Sequence, residues 1–156
     1  MLDNHAMPRV SEEIEIRATP DKVWHVVQED LAATKEWSQG RMSAATMDGK
    51  PAGPGSLIRF ELTVGGSQQA LVLQNQTWQP PELCAGPIVE GPVKGSFAYS
   101  YAKSGAGTLL RFEMDAQLSG LLRFAGGVFK SQLETNLREA LSSLKSYIER
   151  RTAAAR

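Results

Sequence analysis

Two tyrosines on one predicted strand are the side chains best suited to chemistry inside an apolar pocket. Tyr99 and Tyr101 share a strand face with Phe97, because successive side chains of a strand point to opposite sides. A phenol hydroxyl donates and accepts hydrogen bonds, so two of them on one wall can orient a carbonyl or an enol. Tyr99 and Tyr101 are therefore candidate catalytic residues if this face is the inner one, a point that alternation alone leaves undetermined.

Other reactive side chains are sparse. The sequence contains one cysteine, Cys84, and two histidines, His5 and His25. Cys84 has no neighbouring histidine to activate it, so we expect a buried, unreactive thiol. His25 lies one position off the apolar face of its predicted helix, so we expect it at the surface. Because zinc and iron sites need more soft or borderline ligands than these residues supply, we predict no metal site and no cofactor.

Charge and composition narrow the class of partner. The chain carries 17 basic and 17 acidic residues, so no excess of positive charge favours nucleic acid or an anionic membrane surface. No apolar run near the N-terminus is long enough for a signal peptide or a membrane span. A lone cysteine cannot form an intramolecular disulfide. We therefore predict a cytoplasmic protein with no nucleic-acid partner and no stable membrane insertion.

Alternating apolar residues predict seven strands. The first begins at Val10, and the others cover residues 41–47, 56–64, 69–78, 83–90, 94–102 and 107–116. Apolar and charged residues occupy opposite phases of these strands, which is typical of a sheet wetted on one side. The charged residues expected on the solvent side are Arg59, Glu61, Arg111, Glu113 and Asp115. No charged strand residue is predicted inside.

Helical spacing predicts two short helices and one long one. Thr19 and Pro20 are typical of a helix start, because threonine caps free amides and proline suits the first helical position. This helix is predicted to run to about Gln28, followed by a second short helix over residues 29–37. From residue 121 to 148, apolar residues recur every three or four positions, which predicts a long helix with an apolar stripe.

The chain is most simply one domain. At 156 residues it is long enough to bury about two thirds of the surface that the unfolded chain exposes. We predict a flexible leader at residues 1–9, a single domain over residues 10–151 and a frayed tail at residues 152–156. No internal repeat or linker divides the domain.

Local patterns in order along the chain resemble the helix-grip superfamily of polyketide cyclases and dehydratases, START-like lipid-transfer domains and birch-pollen-allergen relatives (SRPBCC). The matching segments are residues 18–24, Trp37, residues 48–56, residues 80–83, Gly107 with Thr108, and residues 137–149. The resemblance implies an α+β fold in which a seven-stranded curved antiparallel sheet surrounds a long C-terminal helix, with two short helices after strand 1. It also implies a ligand cavity between sheet and helix.

Strand phase and helix face then indicate which residues line that cavity. The predicted ligand-binding residues are Trp37, Phe60, Leu62, Tyr99, Tyr101, Phe112, Met114, Phe124, Val128 and Phe129. Nearly all are apolar, as in a pocket that holds its ligand by burial. Trp24 and Trp78 are expected to pack in the core and on a strand, whereas Trp37 fits a core or a cavity wall equally well.

Three functions remain open at this stage. The first is binding of a small hydrophobic ligand such as a lipid, a polyketide or an aromatic metabolite. The second is a polyketide cyclase or dehydratase that uses Tyr99 and Tyr101, and the third is a protein-docking regulator, including a homodimer. Glycines near the start of the long helix suggest that residues 120–128 form a gate for the ligand; the alternative is that these glycines only permit close packing.

Overall fold

A single antiparallel sheet and the helices that cover it account for residues 9–64, 66–118 and 126–154, which the computed structural model describes. The strands are β1 Arg9–Ile16, β2 Met42–Thr46, β3 Leu57–Val64, β4 Ser67–Gln74, β5 Thr77–Gln79, β6 Leu83–Glu90, β7 Val93–Ser104 and β8 Gly107–Leu118. Seven of them follow the order β1-β8-β7-β6-β4-β3-β2, and β5 pairs with β6 beside this path. The curled seven-stranded sheet predicted from the sequence is confirmed.

The predicted fourth strand, residues 69–78, is wrong as one continuous strand. It is divided between Gln74 and Thr77, where Asn75 turns its backbone to the loop after β2. The Asn75 N–H donates to the Ser56 carbonyl at 2.9 Å, and the Asn75 carbonyl accepts from the Gly55 N–H at 2.7 Å. Because these groups bond to the loop, they cannot continue the ladder, and β5 starts a new pairing with β6.

Three α-helices and one π-helical turn complete the described fold. They are α1 Pro20–Trp24, the π-helical turn His25–Glu29, α2 Ala33–Trp37 and α3 Gly126–Ala154. Thr19 caps α1 as predicted, since its hydroxyl accepts from the Lys22 N–H at 3.4 Å. The predicted helix to Gln28 instead widens into the π turn, which brings Gln28 into the core at 6% exposure.

The long helix ends later than hydrophobic spacing indicates. It continues to Ala154, past the predicted end at residue 148, because its last turns have partners on α2 and within the helix. Arg151 bonds to the Glu36 carboxylate at 2.9 Å and lies over the Tyr147 ring at 4.2 Å. The predicted gate at residues 120–128 falls largely outside the described residues.

The inner face of the sheet is set by cross-strand register. Val10 pairs with Met114, and Met114 with Phe97, and such partners share a face. The apolar residues of this face that form or adjoin the core are Val10, Ile14, Ile16, Leu62, Leu71, Leu73, Ile88, Phe97, Leu110, Phe112 and Met114. α3 buries Leu133, Leu141, Leu144 and Ile148 with them. No helix in the described ranges is both long and apolar enough to cross a membrane.

Polar contacts connect α3 to β1 and to β3, which lie on opposite sides of the sheet. On the β1 side, Arg138 pairs with Glu12 at 3.1 Å, and the Lys145 ammonium donates to the Glu15 carbonyl at 2.7 Å. At the opposite end, the Asn136 side chain donates to the Thr63 carbonyl. Ion pairs with an exposed partner contribute little stability each, so the buried apolar side chains of α3, such as Leu133 and Leu144, supply most of the attraction that holds it on the sheet.

One glycine is required by close packing at the start of β8. A Cβ at Gly107 would lie 2.3 Å from the Ile16 carbonyl oxygen, since the end of β1 passes directly over this position. The next residue, Thr108, is fully buried and donates its hydroxyl to the Ala18 carbonyl at 2.7 Å. Gly107 and Thr108 thus hold the segment that leads into α1 against β8.

We expect Gly107→Ala to lower the free energy of unfolding by about 1–3 kcal/mol, because backbone must move to admit the methyl group. Urea unfolding followed by circular dichroism measures the change. Gly53→Ala is the matched control, since nothing lies within 4 Å of its added Cβ. Equal stability of the two variants would show that the contact with Ile16 is not restrictive.

Candidate functional site

Three half-buried apolar side chains lie between the inner face of the sheet and α3. Met42 and Phe60 lie on the neighbouring strands β2 and β3, and Leu137 lies on α3; all three pack against the buried core yet remain partly accessible. Partly accessible apolar side chains are common in the walls of ligand pockets. Among the described residues, these three leave apolar surface accessible at the β2–β3 side of the inner face.

A pocket opens at the same side of the molecule. Its volume is about 470 Å³, and its lining includes Arg41, Thr63 and Asn136 together with hydroxyl and amide side chains of α3. Here α3 is held by the Asn136–Thr63 bond and by a 3.4 Å ion pair between Arg41 and Glu139. The side chains that line this pocket are polar, and its described lining includes none of the predicted ligand-binding residues.

Tyr99 is the inner-face tyrosine with an available hydroxyl. Its ring packs against Phe112 at 4.7 Å and against Phe97 at 6.0 Å between centroids. The side chain is only half-buried, and its hydroxyl has no hydrogen-bond partner among the described residues. Burial raises the pKa of Tyr99 well above its ordinary value, so the hydroxyl stays protonated even at alkaline pH and can donate a hydrogen bond to a ligand.

Tyr101 lies on the same face but is engaged by the helices. It is 3% exposed, and its hydroxyl accepts a 2.7 Å hydrogen bond from the Gln28 amide. The Trp24 ring packs edge-on at 5.2 Å. Burial raises the pKa of Tyr101 far above its ordinary value despite the opposing effect of Gln28. The structure thus distinguishes the two tyrosines: α1 and the π turn contact Tyr101 through Trp24 and Gln28, whereas Tyr99 packs against Phe97 and Phe112.

Glu12 is an inner-face charge that the sequence analysis missed. In the register of β1 and β8 it pairs with Phe112, so it points to the same side as Val10 and Ile14. Its side chain is 15% exposed and pairs with Arg138, with two bonds of 3.1 and 3.3 Å. The expectation that no charged strand residue lies inside is wrong here. The signal was present, because Glu12 is in phase with the apolar residues of β1.

The other charged strand residues lie as expected. The side chains of Arg59, Glu61 and Arg111 are exposed, and the half-buried Glu113 and Asp115 alternate with the inner-face residues of β8. They pair among themselves and with neighbours on the outer face, for example Arg59 with Glu61 at 3.2 Å.

The remaining predicted pocket residues fall into two groups. Trp37, Leu62, Phe112 and Met114 are buried in the core cluster, and Phe60 is half-buried against it. Phe124 and the side chains of Val128 and Phe129 lie outside the described residues. The cavity role of the whole set therefore stays a prediction.

Tryptophan positions agree with the expected packing. Trp24 is 2% exposed and contacts Trp78 edge-on at 5.0 Å between ring centroids, so both rings belong to the packing under α1. Trp37 is 5% exposed, and its indole nitrogen has no hydrogen-bond partner among the described residues.

Cys84 and His25 lie where the sequence placed them. Cys84 is completely buried, its thiol donates to the Asn75 side chain at 3.3 Å, and burial raises its pKa to about 12. His25 is exposed and lies 2.9 Å from the Glu29 carboxylate. Within residues 9–64, 66–118 and 126–154, no cluster of three or more His, Cys, Asp or Glu side chains is arranged to hold a metal ion.

Comparison with known proteins gives one family and one fold. The model of the family described as "Polyketide cyclase / dehydrase and lipid transport" matches residues 7–149. No curated protein sequence matches the chain. Many solved structures share the fold.

Three of these structures illustrate the likeness. The protein TTHA0849 of Thermus thermophilus is 17% identical with a TM-score of 0.78, covering 96% of this chain and 100% of its own. The ZhuI aromatase/cyclase of a Streptomyces species is 18% identical with a TM-score of 0.75, covering 96% and 98%. A START superfamily protein of Mycobacterium smegmatis is 18% identical with a TM-score of 0.73, covering 91% and 97%.

The raised pKa of Cys84 predicts a loss of stability at alkaline pH. The unfolded chain releases this proton near the ordinary thiol pKa of 9.0, whereas the folded protein holds it to about 12. The unfolded state therefore binds fewer protons in this window, and the free energy of unfolding falls as pH rises, by at most about 1.4 kcal/mol per pH unit from this group.

Denaturant unfolding of the wild type and Cys84→Ala between pH 8 and 11 measures this effect. We expect a shallower decline in the variant, because the alanine has no proton to lose. Parallel declines would mean that the thiol ionises equally in both states.

Proposed function

The chain belongs to the polyketide cyclase / dehydrase and lipid transport family, and from that membership we propose that it binds a small hydrophobic molecule between the inner face of the sheet and α3. The ligand class is a lipid, a polyketide or an aromatic metabolite. The observation that carries the proposal is the set of inner-face side chains Met42, Phe60 and Leu137, which pack against the core but remain accessible.

The side chains of the inner face suit a ligand that is mostly apolar and carries one oxygen that accepts a hydrogen bond. Burial of apolar surface supplies about 25 cal/mol per Å², and a few polar groups set orientation. Tyr99 offers a protonated hydroxyl among Phe97 and Phe112, so it suits a ligand carbonyl or phenol. The pocket near Arg41 and Thr63 supplies the entrance in this proposal.

Two neighbouring alanines on β2 allow a matched test. Ala44 is half-buried and pairs with Phe60 on the inner face, while Ala45 is exposed and pairs with Arg59 on the outer face. We expect Ala44→Phe to occupy ligand space and weaken binding of 1-anilinonaphthalene-8-sulfonate by about tenfold or more, a loss of about 1.4 kcal/mol. Ala45→Phe should leave the affinity unchanged.

Fluorescence titration gives the two affinities, and thermal melting checks that both variants fold. Native mass spectrometry of the freshly purified wild type, beside its denatured mass, identifies any molecule that co-purifies. Equal dye affinity in both variants would contradict an interior site beside Phe60.

A specific observation favours polyketide cyclisation or dehydration as a second candidate function. Glu12, Phe112 and Tyr99 form one cross-strand row on the inner face, so the backbones that carry a carboxylate and a phenol hydroxyl lie two strand spacings apart, about 10 Å. In this proposal Glu12 accepts the α-proton of one ketone unit, and Tyr99 donates to the oxygen of a second ketone further along the same chain. The deprotonated carbon attacks the carbonyl carbon of that second ketone, whose oxygen takes up a proton and becomes a hydroxyl. This hydroxyl then leaves with a further α-proton as water, and a C=C bond forms in the ring.

Removing the Tyr99 hydroxyl tests the catalytic proposal. We expect the wild type to convert a linear poly-β-ketone thioester to an aromatic product faster than buffer, and Tyr99→Phe to lower that rate by roughly a hundredfold with dye affinity retained. Tyr147→Phe is the control, because Tyr147 is a residue of α3 whose hydroxyl contacts Glu36 of α2, away from the inner face of the sheet. Product formation is followed by liquid chromatography with mass detection. A wild-type rate equal to buffer would leave binding without chemistry.

The cytoplasmic location, the protein-docking role and the homodimer stay predictions. No contact in the described residues favours them over ligand binding.

A further inference from the structure

A small cleft lies between α2 and α3, beside Trp37. It has a volume of about 200 Å³, and its lining includes Trp37, Ser142, Ser143, Ser146 and Arg150. We call it the α2–α3 cleft. Its polar lining differs from the apolar inner wall, so a different chemistry is expected there.

Trp37 supplies the most specific observation in this cleft. The ring is 5% exposed, and its Nε1 is the one buried side-chain nitrogen or oxygen without a hydrogen-bond partner among the described residues. An unsatisfied buried donor is destabilising, and native structures leave few of them. Trp24, by contrast, donates its indole proton to Glu29 at 3.3 Å.

Four further donors of the lining, Arg150 and three serines, have no protein acceptor among the described residues. Gln39 and Tyr147 also line the cleft, and the Tyr147 hydroxyl donates to Glu36 at 3.5 Å. Arg150 makes no ion pair within the described part of the chain, and the three serine hydroxyls make no hydrogen bond there. The one carboxylate in the lining, Glu36, is already bonded to Arg151 at 2.9 Å. A ligand that carries hydrogen-bond acceptors would satisfy these donors.

We propose that the α2–α3 cleft binds a small oxyanion, a carboxylate or a phosphate. Arg150 provides the charge, since guanidinium groups pair with planar or tetrahedral oxyanions through two N–H bonds. The serine hydroxyls and the Trp37 indole then donate to the remaining oxygens. Because Nε1 is shielded from water, binding requires a rotamer change beside the indole. This site is independent of the interior ligand, so either proposal can fail without the other.

The indole protons provide a direct readout. The chain has three tryptophans, so a nitrogen–proton correlation spectrum shows three indole signals, and Trp37→Phe identifies the one from Trp37. Titration with sodium phosphate and with sodium acetate, each at constant ionic strength, should move the Trp37 signal downfield to a plateau. The Trp24 and Trp78 signals should stay in place.

Variants separate a built site from a general salt effect. We expect Arg150→Gln to weaken the titration by about tenfold or more and Ser143→Ala to weaken it several-fold. Arg111→Gln, on the outer face of the sheet, should leave it unchanged. The proposal is overturned if the Trp37 signal does not move with either anion, if it moves equally in Arg150→Gln, or if calorimetry gives Trp37→Phe the affinity of the wild type.

Discussion

One helix has to cover the inner face of a seven-stranded sheet, and most features of this protein follow from that mismatch in width. Neighbouring strands are about 4.8 Å apart, so seven span roughly 29 Å, whereas a helix with its side chains is about 10–12 Å wide. α3 buries Leu133, Leu141, Leu144 and Ile148 and is bonded to β1 through Arg138 and Lys145. The face beyond this contact must be covered by the short helices, or border a cavity.

The two tyrosines of β7 show how cover by the short helices determines which hydroxyl is engaged in packing. Tyr99 and Tyr101 are two residues apart on one strand face, and nothing in the local pattern distinguishes them. The π turn covers Tyr101 with Gln28 at 2.7 Å, so its hydroxyl is part of the packing. Tyr99 lies beyond the reach of that turn, and its hydroxyl remains available.

Strand phase and helix start were predictable because both depend on local sequence. Alternation placed Leu110 and Phe112 inside, and Thr19 with Pro20 located the start of α1. The errors depend on distant partners. Glu12 is held inside by Arg138, 126 positions away, and the break after Gln74 depends on bonds from Asn75 to the loop before β3. No short window of sequence contains those contacts.

The inner wall is nearly free of net charge, and this limits the chemistry that it can perform. Tyr99, Tyr101 and Cys84 are neutral at physiological pH, and burial raises the pKa of each further above its ordinary value. The charge of Glu12 is balanced by Arg138 at 3.1 Å. An uncharged ligand enters such a site without leaving an ion unpaired, which suits binding by burial. Catalysis through Glu12 would require a substrate that competes with Arg138 for this carboxylate, on the strand at one edge of the sheet.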